Sequence, residues 1–236
     1  MTNEQSVSPD GRLPEPVRRY LARNLPDERT SSGRVRIKQE GEMWQKPGAR
    51  PMRFTAVEEF AVDTLAFTWR ARFPLVPLVA MNVVDAYSDG KGHLVGRLFG
   101  IPVMRRRGPE TTVGEALRYL AELPWAPQAI AANRELQWRE LPGGDVEVTP
   151  ALGGEQWPVR FEFDAAGDIV RASSEARPRP LGRTFVAAPW GGTFGDYKVL
   201  GQTRIPTWAE VSWELPEGPF VYWRATITSL ELVAVA

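Results

Sequence analysis

The sequence predicts an α+β fold: a single curved, largely antiparallel β-sheet, a half-barrel, with helices against its concave face. Three observations predict it. Apolar and polar side chains alternate with period two in segment after segment, as in strands with one wet face. The 21 glycines and 21 prolines are spread along the whole chain, so it turns often. One helix-periodic block falls between two runs of strands, with no linker-like stretch beside it. The expected organisation is a disordered N-terminus at residues 1–12 and one domain at 13–236.

In chain order, "LPEPVRRYL" at 13–21 reads as a short helix. A proline in the first turn costs little, because that N–H has no helical partner. Val17, Tyr20 and Leu21 share one face. From residue 34 the period changes. "RVRIKQE" sets Val35 and Ile37 against Arg34, Arg36 and Lys38. "LAFTWRAR" sets Leu65, Phe67, Trp69 and Ala71 against Thr68, Arg70 and Arg72. The main helix follows at about Thr112–Leu123, with Thr112 and Glu115 as a T-x-x-E capping box. Val113, Leu117, Leu120 and Ala121 form its apolar stripe, and Pro124 stops it. A second short helix runs from Pro127 through Ala132. Strands then resume, grouping Trp157, Val159, Phe161 and Phe163, then Ala209, Val211, Trp213 and Leu215, then Val221, Trp223, Ala225 and Ile227. The spacing of turn signals predicts about four to six strands before the helices and about five to seven after them.

Composition narrows the function classes. The 29 basic and 29 acidic residues cancel, so no global field draws the protein to nucleic acid. Cysteine is absent, which excludes disulfides, thiolate chemistry and cysteine-ligated zinc, and fits a cytoplasmic location. The polar N-terminus has no apolar core of the kind a signal peptide needs. The longest uncharged stretch, Phe73–Val84, is too short to span a bilayer and carries two prolines. It reads as a lip that closes over a ligand or touches membrane, or as a buried strand. No transmembrane segment, metal or cofactor is expected, and the oligomeric state is not legible.

Four residues are candidates for catalysis. Glu58 falls among the apolar positions Met52, Phe54, Ala56 and Phe60, where a carboxylate is costly unless paired. Asp85 lies in register between Val83 and Tyr87. His93 is the only histidine, and its spacing to Asp85 and Asp89 is not a ligand signature. Glu122 sits in the last helical turn, where the macrodipole disfavours it, so a partner is expected, either Arg118 one turn earlier or a strand arginine. "RRR" at 105–107 puts Arg105 and Arg107 on one side, as an anion site or a solvated hairpin end. The nine tryptophans are the remaining signal. Trp69, Trp138, Trp157, Trp213 and Trp223 fall on apolar strand faces, and the prolines around Trp125 fix a bend that presents it inward or across the sheet. They line a ligand cavity or fill the core. There is no P-loop and no G-x-S-x-G elbow.

The blocks "LPEPVRRYL", "FTWRARF" and "RYLAELPWAP", with "PWGGTFGDYKVLGQTRIPTWAEVSWELPEG", resemble a family of uncharacterised bacterial proteins, a domain of unknown function, over about residues 13–231. That resemblance implies one domain and carries no reaction. The order of elements is similar to the periplasmic lipoprotein-carrier half-barrels, which hold a helical plug over an apolar cavity and bind lipid chains. Together these lead to an expected non-enzymatic protein that binds a lipid-like or other apolar ligand in a Trp-lined cavity. The alternatives are a hydrolase-type enzyme using Glu58, Asp85 and Glu122, and a protein-interaction module.

Overall fold

A computed structural model of the chain describes residues 12–25, 33–150, 157–182 and 184–234. The N-terminal segment expected to be disordered lies almost wholly outside them. Among the described residues thirteen strands form one sheet, every neighbouring pair antiparallel. The first meander runs through β1 (Arg34–Met43), β2 (Met52–Ala61), β3 (Phe67–Val76), β4 (Val79–Ser88), β5 (Lys91–Leu98) and β6 (Ile101–Arg107). The second runs through β7 (Leu136–Glu140), β8 (Val146–Pro150), β9 (Val159–Phe163), β10 (Ile169–Leu181), β11 (Thr184–Leu200), β12 (Thr203–Leu215) and β13 (Gly218–Val233). Pairing of β1 with β13 fuses the two into a curled half-barrel. Six strands precede the helices and seven follow, as the turn spacing predicts.

The concave face carries the core. Val35, Ile37, Phe54, Phe60, Phe67 and Trp69 are buried there, and polar residues alternate outward. Helix α1 (Glu15–Asn24) and the central pair α2 (Pro109–Ala121) and α3 (Pro127–Ala132) pack inside, with a 3-10 turn at Leu123–Trp125 between the latter two. Helix α2 begins three residues earlier than the sequence suggests. Pro109 takes the first position after Gly108, so Thr112 and Glu115 lie inside the helix and form no capping box. The Thr112 hydroxyl instead accepts the Gly92 N–H at 3.1 Å. Gly92 matters here: a Cβ on it would sit 2.8 Å from the Thr111 carbonyl oxygen, so only glycine lets α2 press onto β5.

Antiparallel pairing sorts the turns to two ends. Those at 44–51, 77–78, 99–100 and 216–217, and the one at Gly182, share one rim. The uncharged stretch Phe73–Val84 forms the β3–β4 hairpin on this rim, neither a buried strand nor a span. Leu75, Val76, Leu78, Phe99, Ile101 and Leu181 are exposed there. The opposite end is closed by α1 and α3. Tyr20 donates to the Pro124 carbonyl at 3.0 Å, and Arg204 clamps Asp168 at 2.6 and 2.7 Å while donating to Asn24 at 2.9 Å.

Candidate functional site

Between α2 and the open rim the concave face encloses a cavity of about 550 Å³. Its walls are aromatic. Trp69 and Phe73 come from β3, Trp190 from β11, Trp213 from β12, and Tyr222 and Trp223 from β13. Phe54 joins the two halves from behind, with ring centroids 5.6 Å from Trp69 and 5.9 Å from Trp223. Toward the mouth the lining changes to Met43, Met52, Met81 and Met104, which are every methionine except Met1. Unbranched thioethers adapt to irregular partners. Near the rim the lining adds Gln45 from the β1–β2 turn, Pro180 from the end of β10 and Phe185 from the start of β11.

The floor is charged, and sheet register builds it. One row across the concave face reads Ile37, Glu58, Trp69, Asp85, Leu94, Arg106. Helix α2 lowers Arg118 onto that row. Its guanidinium meets Glu58 at 3.0 Å, Asp85 at 2.7 Å and, from its own helix, Glu122 at 2.9 Å. It also lies 5.0 Å from the ring centroids of both Phe67 and Trp69. Gln39 donates to Glu58 at 2.7 Å, and its own oxygen accepts the Trp69 indole N–H at 2.7 Å.

Arg118 is outnumbered by the acids around it. Burial, and then the neighbouring Glu122, push Glu58 well above the usual carboxyl range. Burial, and then Asp85, do the same to Glu115, which lines the cavity one helical turn before Arg118. Burial works against the charge on Arg118, but the surrounding carboxyls outweigh it and raise its pKa. Glu58 beside Glu122 and Glu115 beside Asp85 are thus the places where burial and a neighbouring acid favour the protonated form of Glu58 and of Glu115. One oxygen each of Asp85, Glu115 and Glu122 is buried with no hydrogen-bond partner among the described residues.

The structure brings Glu58, Asp85 and Glu122 together and leaves His93 out. His93 pairs with Ala86, one residue out of phase with Asp85, so it lies on the convex face. Arg105 and Arg107 are exposed on that same face, while Arg106 turns into the cavity. Of the six tryptophans named from sequence, Trp69, Trp213 and Trp223 line the cavity. Trp125 is buried behind Trp223, its indole N–H on the Pro206 carbonyl at 3.1 Å. Trp138 stacks on Phe161, and Trp157 is half-buried beside the core.

Sequence reasoning misses Glu115, Arg177, Trp190 and Tyr222. Two β-bulges explain two of these omissions. Ser174 pairs with Trp190 but Arg177 with Ala188, so β10 carries one extra residue. Glu175 and Ala176 bulge into solvent, and Arg177 turns to the concave face. In β13 Val221 pairs with Ser212 and Trp223 with Val211, leaving Tyr222 as the extra residue. Bulges re-aim side chains in this way beside functional sites.

The fold and cavity define a class: a curled half-barrel with a helical plug and an apolar interior open at one rim. The chain belongs to a family of unknown function, DUF6544, whose model matches residues 5–225. No curated protein matches it. A putative outer membrane lipoprotein-sorting protein domain from Vibrio parahaemolyticus has a similar structure, with a TM-score of 0.50 at 11% identity over 92% of this chain and 91% of that one. A LolA superfamily protein from Nitrosomonas europaea gives 0.46 at 10% identity over 94% and 93%. The first likeness shows the shared architecture. No helix among the described residues is long and apolar enough to cross a membrane.

Proposed function

We propose that the protein is a non-enzymatic binding protein that takes a lipid-like chain into the space between α2 and the rim. The supporting observation is one cavity of about 550 Å³ walled by Trp, Phe and Met side chains. Protein cores normally close such space by packing, and roughly 300–1,000 Å³ is the range of small-molecule sites. The mouth opens among exposed Leu78 and Phe99, the kind of apolar edge that marks a contact or loading surface.

Titration of delipidated protein with the neutral fluorophore N-phenyl-naphthylamine, followed by quenching of tryptophan emission, tests the reading. Saturable one-site quenching is expected, weakened by Val211→Trp, which places a further indole inside the cavity. Quenching that never saturates, or that ignores Val211→Trp, would count against it.

The convergence of three acids favours a second reading, a hydrolase-type enzyme using Glu58, Asp85 and Glu122. Binding is preferred because each of these acids has an oxygen committed to Arg118 and the one histidine faces away. Turnover of nitrophenyl esters or glycosides that disappears in Glu58→Gln would reverse that preference.

A further inference from the structure

Two arginines that line this cavity, Arg106 and Arg177, have no ion pair among the described residues, and Arg177 is the buried one of the two. It is 8% exposed, and no carboxylate lies within ion-pair distance of it among the described residues. Its guanidinium carbon sits 4.2 Å from the Trp190 ring centroid and 5.7 Å from that of Trp213. Among the described residues its hydrogen bond is a long one, Nη1 to the Tyr222 hydroxyl at 3.3 Å, and Nε has no partner. A guanidinium has five N–H donors in a rigid fork, and burying them unmet is costly. Glu115 senses its charge but makes no ion pair with it.

Tyr222 completes the pattern. Its oxygen accepts from Trp190 Nε1 at 2.9 Å and from Arg177. Both lone pairs are then used, and its own O–H is left to donate. Arg177 and Tyr222 line the same cavity, and a separate bulge aims each of them there. Without the extra residue in β10, Arg177 would pair with Ala187 on the exposed face. Two interruptions of the ladder therefore place unmet donors against the aromatic wall of the chamber. What unmet donors recognise is an acceptor, and a fork of N–H groups favours a bidentate oxyanion.

Resting on the reading of the cavity as a chain-binding site, we infer that Arg177 and Tyr222 form a headgroup subsite for the anionic end of an amphiphile, a carboxylate or a phosphomonoester. The apolar tail then runs along the indoles toward the methionines and the rim. The Asp85–Glu115 pair on the neighbouring floor disfavours a second anion there, which leaves Arg177 as the anchor. Gly114 keeps the approach open, since nothing but Arg177 lies near its Cβ position, with Nε at 3.7 Å and Nη2 at 3.8 Å.

The test compares four ligands with one tail: dodecanoate, dodecyl phosphate, dodecanol and dodecylamine, each displacing N-phenyl-naphthylamine below its micellar concentration. Charge-assisted bonds predict that at least one of the two anions binds roughly ten-fold or more tightly than the alcohol, and the two anionic arms separate fatty acid from phosphate recognition. Arg177→Met should bring that anion to the level of the alcohol and leave the alcohol unchanged. Tyr222→Phe, which keeps the ring, should lower the same preference by a smaller factor. Equal binding of acid, phosphate and alcohol by the wild-type protein overturns the subsite and leaves the chain-binding reading intact. Tightest binding of the amine also overturns it and assigns the head to the acid pair. If the fluorophore and all four ligands fail to bind, both readings fall. The wild-type series needs no variant to fold.

Discussion

Replacing Arg118 with methionine probes the charged floor most directly. The change keeps an unbranched stem between Phe67 and Trp69 but removes the cation that holds three carboxylates at 2.7–3.0 Å. Breaking a buried ion pair from one side costs about 3–5 kcal/mol. Proton linkage gives a similar size by another route. A carboxyl forced to keep its proton in the folded state loses about 1.4 kcal/mol per pH unit above its ordinary value of 4.5. For one such group that is about 3.4 kcal/mol at pH 7 and about 0.7 kcal/mol at pH 5. At about 2.1 cal/mol/K per residue, 236 residues give an unfolding entropy of about 0.5 kcal/mol/K. The thermal midpoint should then fall by roughly 6–10 °C at pH 7 and by far less at pH 5. Urea unfolding followed by circular dichroism, with calorimetry at both pH values, measures this. A loss below about 1 kcal/mol at pH 7, or the same loss at both pH values, would refute the view that Arg118 is what makes these acids tolerable.

Three further outcomes follow from the same geometry. Glu115 is held well above the usual carboxyl range by burial and by Asp85, so above pH 4.5 the folded chain binds a proton that the unfolded chain has lost, and stability falls as pH rises. Glu115→Gln keeps an N–H toward Asp85 and removes that titration. It should match the wild type near pH 4.5 and gain about 1.4 kcal/mol per pH unit above it until the folded pKa is reached, and parallel pH–stability curves would contradict this. Gly92→Ala drives a methyl to within 2.8 Å of the Thr111 carbonyl oxygen and 2.9 Å of the Thr112 Cα. Unfolding measurements should show a loss of about 1–3 kcal/mol as α2 lifts from β5. Gly114→Ala meets nothing closer than 3.7 Å, and the better helix former should add about 0.5–1 kcal/mol, read as a higher thermal midpoint.

How much of this was legible in the sequence depends on where each residue's constraint arises. Period-two alternation exposes Glu58 and Asp85 as acids among apolar neighbours, because a strand's two faces are written into residue parity. The pairing of Glu122 with Arg118 follows from helical spacing of four. That the same arginine also reaches Glu58 and Asp85, 60 and 33 positions away, depends on where α2 crosses the sheet, and no local pattern encodes that. Arg177 is hidden for a sharper reason. Strict alternation in "SSEARPRP" groups it with Glu175 on the wet side, and a bulge shifts the parity of every residue after it. The tryptophans divide along similar lines. Strand position marks Trp69, Trp213 and Trp223 correctly as inward, but an inward ring still faces either open space or packed core. Trp138 has Phe161 beneath it, and Trp125, which no strand carries, is set behind Trp223 by the 3-10 turn.

The placement of all four internal methionines around the mouth has a practical consequence. Labelling the methyl carbons of Met43, Met52, Met81 and Met104 gives four resonances that report from within one chamber. The same arrangement concentrates oxidative risk. Sulfoxide formation at these positions would turn that apolar collar polar.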